Sequence, residues 1–175
     1  MIWTDASSKI VSKGDEPSKT YEPVTTTAFV IKHGKSPPLI GSNVHHGIYN
    51  STGELIAGIE SLRALTDYCN CFGMNAKNYK VEMKTDFEYL KRVVDSAVVF
   101  SEDKRKRKLL KKFKKLQKEF KDISCDEIQR SSNIAHNICT FKMKDFAYKE
   151  NDRGLVRGFY EIYENPEENC VIKVS

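Results

Sequence analysis

The chain has 175 residues, 39% of them hydrophobic and 30% charged, with a formal net charge of +5. That length suits one domain with an appendage and leaves room for a real core. No apolar run approaches the ~18 residues of a membrane helix, and five cysteines at irregular spacing make no disulfide framework, so membrane-spanning and disulfide-scaffold classes are both excluded.

The segment Met1 to Asp5 carries neither the basic nor the apolar region of a secretory leader, and the expected setting is the reducing cytoplasm. Residues 2–5 read as a short first strand ending at Asp5. Residues 6–23, which collect Ser, Lys, Gly14, Pro17 and Pro23, read as a long surface loop or ragged hairpin. Residues 24–32 and 39–48 are β-branched and aromatic, and the turn Gly34-Lys-Ser-Pro-Pro38 joins them into an antiparallel meander with the first strand. Leu55, Ile59 and Leu62 fall at helical spacing, with Ser51 and Glu54 forming an S-x-x-E capping signature ahead of them, which predicts a helix over 53–69.

Tyr79, Val81, Met83 and Thr85 alternate with polar residues, predicting a strand, and Leu90, Val93, Val94, Ala97 and Val98 then follow at helical spacing. Residues 104–121 hold 11 of the 29 Lys and Arg against one acid, Glu119, so this segment is +10 and the remainder −5. Leu109, Phe113, Leu116 and Phe120 give it one apolar edge, which predicts a docked helix with its lysines facing out. A basic stripe on an acidic body attracts a polyanion locally, and nucleic acid is the first candidate. Residues 123–129 read as a short strand, Ser131-Ser132-Asn133 as the cap of a helix carrying Ala135, Ile138, Cys139, Met143 and Phe146, and residues 158–174 as an added hairpin.

The expected fold class is therefore α/β: a five-stranded mixed sheet, three strands antiparallel and two parallel, flanked by helices. Asp5 closes the first strand, Glu54 opens the first helix and Asp86 closes the fourth strand. Each has a local role open to it: Glu54 as the partner of Ser51, Asp86 as a helix cap, Asp5 as a turn residue. If the first and fourth strands are parallel neighbours, however, the three carboxylates converge at one sheet edge, where they suit paired Mg²⁺ ions and phosphodiester cleavage.

The runs Trp3-Thr-Asp5-Ala-Ser-Ser, Asn50-Ser-Thr-Gly-Glu54-Leu-Ile-Ala, continuing to Leu65, and Lys84-Thr-Asp86-Phe-Glu-Tyr89 resemble the type 1 ribonuclease H family over residues 1–147. The resemblance implies that Asp5, Glu54 and Asp86 are catalytic carboxylates holding Mg²⁺ or Mn²⁺, that Asn50 contacts the minor groove of an RNA/DNA hybrid, and that the RNA strand is cut by two metal ions. With Asn50, it assigns Ser7, Ser51 and Asn133 to substrate binding. The lysine helix, with Lys111, Lys112, Lys114 and Lys115, falls where many members place a basic substrate-gripping segment. A monomeric, cytoplasmic enzyme with a domain over 1–147 and an extension over 148–175 packed on it is the expected form; the competing reading is a non-catalytic module of this fold that binds nucleic acid or protein through the lysine helix.

The sequence departs from the family pattern where a fourth acid is usual at the start of the last helix, since His136 stands there. Near a helix N-terminus the macrodipole favours neutral imidazole, so His136 is assigned to the catalytic group as a metal ligand or proton relay. Asp145, nine residues on, falls on the opposite side of a helix and is no substitute. The family's glycine-rich stretch before the second strand and its histidine-bearing loop before the last helix are both missing. His45 and His46 point to opposite faces of a strand and do not share a metal, and Cys69 and Cys71 have no second pair at zinc-site spacing.

Overall fold

A computed structural model describes residues 1–13, 20–96 and 101–150. Five strands, β1 (Ile2–Lys13), β2 (Thr20–Ile31), β3 (Leu39–His46), β4 (Lys80–Thr85) and β5 (Asp122–Glu127), form one mixed sheet in the order β3-β2-β1-β4-β5. β1, β2 and β3 are antiparallel; β4 and β5 run parallel to β1. Four α-helices flank them: α1 (Asn50–Cys71), α2 (Glu88–Asp95), α3 (Lys104–Gln117) and α4 (Ile134–Glu150). The expected hairpin at 158–174 lies outside the described residues, as do Ala97 and Val98.

The first strand is longer than the turn-forming composition of residues 6–23 suggests. Twelve residues of β1 pair with β2, from Ile2 opposite Ile31 to Lys13 opposite Thr20. Tertiary pairing overrides local propensity here, because each residue added to the ladder satisfies backbone groups that a loop leaves to water. Asp5 thus lies inside a strand and does not end it.

Most of the core fills the space between one sheet face and α1, α2 and α3, around Ile2, Leu55, Leu62, Met83, Leu90 and Phe113. A smaller cluster of Ala28, Val30, Ala135 and Cys139 packs α4 on the opposite face. The two faces follow from the strand period: Thr26, Ala28 and Val30 look toward α4, and Thr25, Thr27 and Phe29 toward α1. Thr25, Thr26 and Thr27 are fully buried, and their hydroxyls donate to Ile48 O, Cys139 O and Glu60 Oε2 respectively.

α1 begins earlier than predicted, and by a different device. Tyr49 is its extended N-cap, with its carbonyl accepting from the N–H groups of Thr52 and Gly53, and Ser51 sits within the first turn. No side chain caps the helix, so the S-x-x-E signature makes no capping box. Gly53 is what brings α1 close to the sheet: a Cβ there would meet Thr25 Cγ2 at 2.4 Å and Ala6 Cβ at 3.0 Å. That approach leaves the next residue, Glu54, pressed against β1.

α3 is an amphipathic helix capped by the Asp103 carboxylate, which accepts from the backbone of Arg105 and Lys106. Phe113 and Phe120 of the predicted apolar edge are buried, Leu109 and Leu116 pack half-buried against the same core, and Leu110 joins them. Phe113 seats against Gly58 of α1, where a Cβ would come within 3.1 Å of its ring.

Candidate active site

β1 and β4 pair over only two positions, Ile2 with Met83 and Trp3 with Lys84, and then part. Asp5 and Asp86 each lie two residues beyond the last pair, so they face each other across the fork at the carboxyl end of the parallel strands. Such a crevice is where open α/β sheets place ligands. Glu54 enters the same crevice from the first turn of α1. One carboxylate oxygen from each of Asp5, Glu54 and Asp86 lies within 4.8 Å of the other two.

The backbone of β1 fixes Glu54: the Ala6 N–H donates to Glu54 Oε1 at 3.1 Å. Glu54 is therefore not the partner of Ser51. Its other oxygen, Oε2, is buried without a hydrogen-bond partner. Burial first, and the charges of Asp5 and Asp86 second, push the Glu54 carboxyl up to about 9. Burial likewise raises Asp5 to about 6, against the opposing hydrogen bond from His136. Three acids this close, one of them with a buried carboxylate oxygen left without a hydrogen bond, are what a hard divalent cation with oxygen ligands compensates. The residues present fit such an ion.

Neighbouring side chains hold the acids in place. Asn133 is buried, its amide N–H groups donating to Thr4 O at 2.8 Å and to Asp86 Oδ1 at 2.9 Å, while its Oδ1 accepts from Ala135 N and caps α4. This corrects the assignment of Asn133 to substrate binding, because both ends of its amide are consumed inside the protein. His136 Nδ1 lies 3.0 Å from Asp5 Oδ2. Behind Asp5, the buried Cys139 thiol donates to Thr26 O at 3.0 Å and lies 3.2 Å from Thr26 Oγ1, tying α4 to the strand that backs the site.

The predicted substrate-facing residues separate into two groups. Asn50 is exposed at the start of α1, with Ser8 Oγ 3.5 Å from its Oδ1; Ser7 and Ser51 are half-buried nearby in β1 and α1. On α3, Lys111, Lys112 and Lys115 are exposed or half-exposed along the outer face. Lys114 is half-buried and its ammonium is spent on Ser96 O at 2.6 Å and Gln117 Oε1 at 3.0 Å, so the expectation that it meets substrate is corrected: it staples α3 to the end of α2. The N-terminal end of α3 reaches toward the site edge, where Arg105 Nη1 donates to Gly47 O at 3.3 Å, three residues before Asn50. His45 and His46 do diverge, His45 toward Glu60 at 3.3 Å and His46 toward Glu22 at 3.6 Å. Cys69 is buried and Cys71 exposed, both reduced.

Sequence reasoning missed Arg130. It precedes α4 in a single 3₁₀ turn, Arg130–Ser132, with its Nε 3.8 Å from Asp86 Oδ2 and 3.3 Å from both ring nitrogens of His136. The signal available was a lone arginine three residues before Asn133, between the predicted strand at 123–129 and the capping residues Ser131-Ser132-Asn133.

No protein-family model matches the chain, and no curated protein matches its sequence. Solved structures do match. The RNase H1 of the halophilic archaeon Halobacterium salinarum NRC-1 superposes with a TM-score of 0.60 at 18% identity, covering 82% of this chain and 96% of that one. The N-terminal RNase H domain of a Mycobacterium tuberculosis protein gives 0.59 at 14% identity, covering 85% and 95%. LC11-RNase H1, solved in complex with an RNA/DNA hybrid, gives 0.61 at 18% identity, covering 84% and 97%. The chain therefore has the ribonuclease H-like fold, with the mixed five-stranded sheet and flanking helices expected of it.

Proposed function

We propose that this protein is an endoribonuclease that hydrolyses the RNA strand of RNA/DNA hybrids by a two-metal-ion mechanism, using Mg²⁺ or Mn²⁺. The observation that carries the reading is the convergence of Asp5, Glu54 and Asp86 from β1, α1 and β4, one oxygen of each within 4.8 Å of the others, at the fork of the parallel strands. The fold match supports it, since one of the matching structures is of an RNase H1 with a hybrid bound.

Bound divalent cations supply an acidified water and neutralise charge building on the scissile phosphate and the leaving 3′ oxygen. The chain's own residues do the rest. Asp5, Glu54 and Asp86 are the anionic oxygens that hold the cations. The Ala6 N–H and the Asn133 amide orient two of those carboxylates, so no rotamer search is needed when cations arrive. His136 stands as the fourth polar group of the site, hydrogen-bonded to Asp5 and aligning it. Asn50 and Ser51, in the same first turn of α1 as Glu54, and Ser7, two residues after Asp5 on β1, are suited to ribose hydroxyl and base-edge contacts in a shallow minor groove, where the 2′-OH marks the RNA strand. Lys111, Lys112 and Lys115 supply phosphate attraction on the side of the protein reached through Arg105 and Gly47. One chain holds the whole carboxylate cluster, which supports a monomeric enzyme.

A labelled hybrid, compared with single-stranded RNA and with both homoduplexes, tests the reading. Metal-dependent cleavage of the hybrid's RNA strand, lost in Asp86→Asn, is the expected result. Cleavage that survives Asp86→Asn at the wild-type rate would rule this site out, and hybrid binding with no cleavage at any metal concentration would leave a binding module.

A further inference from the structure

α4 carries two apolar stripes, and the sheet buries only one of them. Ala135, Cys139 and Met143 are buried, whereas Ile134, Ile138 and Phe141, at i, i+4 and i+7, follow a second line about 100° round the helix. Ile134 is 39% exposed and Phe141 68% exposed, with Ile138 half-buried between them. Single apolar side chains at a surface are ordinary, but a contiguous stripe marks an interaction surface. The sheet supplies a floor beside it. Trp3 on β1 pairs with Val30 on β2, and Val30 with Ile40 on β3, so the three side chains form one row on the α4 face. Trp3 and Ile40 are half-buried, Ile138 packs on the same cluster, and the exposed Lys32 lies at the rim with its Nζ 5.6 Å from the centre of the Trp3 ring. His136 leaves α4 on the far side from Ile134 and Ile138, about 200° round, so this groove shares a helix with the carboxylate cluster but no residue.

We propose that residues 151–175 of this chain lie along the groove, with their apolar side chains seated between the α4 stripe and the row of Trp3 and Ile40. The occupant follows from where the helix ends and how much chain comes after it. Phe141 lies nine residues before Glu150, the last residue of α4, or about 14 Å along the axis. The 25 residues that follow could span as much as about 80 Å if extended, ample for a segment that turns back and runs the length of the stripe. Leu155, Val156, Phe159, Ile162, Val171 and Ile172 supply the apolar complement, and residues 158–169 hold four acids and no base, opposite in sign to Lys32. Because the segment is tethered to the same helix, its local concentration is of roughly millimolar order, which favours it over a second copy of the chain. This inference stands apart from the ribonuclease reading, since it uses none of the residues assigned to cleavage.

Trp3 is the single tryptophan of the chain and therefore reports on the floor of the groove. In the full chain, well below the melting temperature, replacing Phe159 and Ile162 together by Asp should increase acrylamide quenching of Trp3 fluorescence, by an amount independent of protein concentration. Phe141→Ala should lower the Tm by about 6 °C or more, the loss expected of a covered phenylalanine in a chain of this size, whereas a phenylalanine facing water changes it by about 2 °C at most. Made in the Phe159→Asp, Ile162→Asp background, Phe141→Ala should lose most of that effect, as expected for side chains in contact. Equal quenching of Trp3 in the wild type and the Asp variant would overturn the proposal, and so would a Phe141→Ala protein melting within about 2 °C of the wild type. Shielding of Trp3 that falls on dilution and survives the Asp substitutions would also overturn it, and would make the groove a contact between two copies of the chain.

Discussion

Replacing Glu54 by Gln should separate what the site costs the fold from what it does. Burial and the neighbouring charges of Asp5 and Asp86 raise the Glu54 carboxyl from 4.5 to about 9, against the Ala6 hydrogen bond and the charge of Arg130, which favour ionisation. Because the folded pKa lies above the unfolded one, the stabilisation is complete below about pH 4.5 and is lost as pH rises toward 9. Asp5, raised to about 6, is already roughly three-quarters ionised by about pH 6.5 and contributes progressively less above it. Over about pH 6.5–8 in chelator, Glu54 should therefore dominate, removing about 1.4 kcal/mol of stability per pH unit, or about 2 kcal/mol across the window. Glutamine keeps an acceptor for Ala6 N and adds amide donors facing the Asp5 and Asp86 carboxylates. Urea denaturation in chelator should show Glu54→Gln more stable than wild type at about pH 8, with a flatter pH dependence. Adding Mg²⁺ should stabilise the wild type and do little for the variant. A glutamine variant that is less stable than wild type under those conditions, or that keeps the same pH slope, would refute the account of Glu54 as an uncompensated buried acid.

Asp86→Asn should leave the melting temperature of the metal-free protein within a few degrees while abolishing hybrid cleavage, checked by thermal denaturation and gel assay on one preparation. Neutralising Lys111, Lys112 and Lys115 together should weaken hybrid binding and lower the slope of log affinity against log salt by as much as about 0.9 for each phosphate no longer neutralised, read by fluorescence anisotropy. Lys114→Ala should leave that slope unchanged and instead cost about 1–3 kcal/mol in urea, since it strips donors from Ser96 O and Gln117 Oε1. His136→Asp should add a fourth carboxylate beside Asp5, lowering the Mg²⁺ concentration needed for half-maximal rate and reducing stability in chelator; His136→Ala should slow cleavage without the complete loss expected of Asp5→Asn.

The three acids were legible in the sequence because each belongs to a short motif, and the parallel pairing of β1 with β4 makes neighbours of the segments that carry Asp5 and Asp86. β4 was legible from alternation and β2 and β3 from β-branched and aromatic composition, β5 as a short strand, and β1 only as its first four residues. What was not legible depends on partners remote in sequence. The outer half of the β1–β2 hairpin is held by cross-strand pairing that overrides its turn-forming composition. Ser51 and Glu54 had the spacing of a capping box, but Tyr49 starts the helix and Ala6 claims the glutamate. Lys114 is indistinguishable by sequence from its neighbours, and only the turn of α3 against α2 shows that it is consumed. Arg130 sits in a three-residue turn with no periodicity to mark it.

The brevity of the β1–β4 ladder also bears on folding. Antiparallel β1, β2 and β3, with α1 after them, come from one continuous stretch and can pair locally, whereas Asp86 reaches Asp5 only after the chain has crossed back to lay β4 beside β1. Closing that loop yields two ladder positions, so its entropy must be recovered from packing by Leu90, Phe113 and the rest of the core. The carboxylate cluster therefore assembles late, and a chain interrupted before β4 carries two of its acids and no cation site. If the cluster takes up a divalent ion as proposed, that uptake would report completed folding, since a partly formed sheet lacks Asp86 beside Asp5.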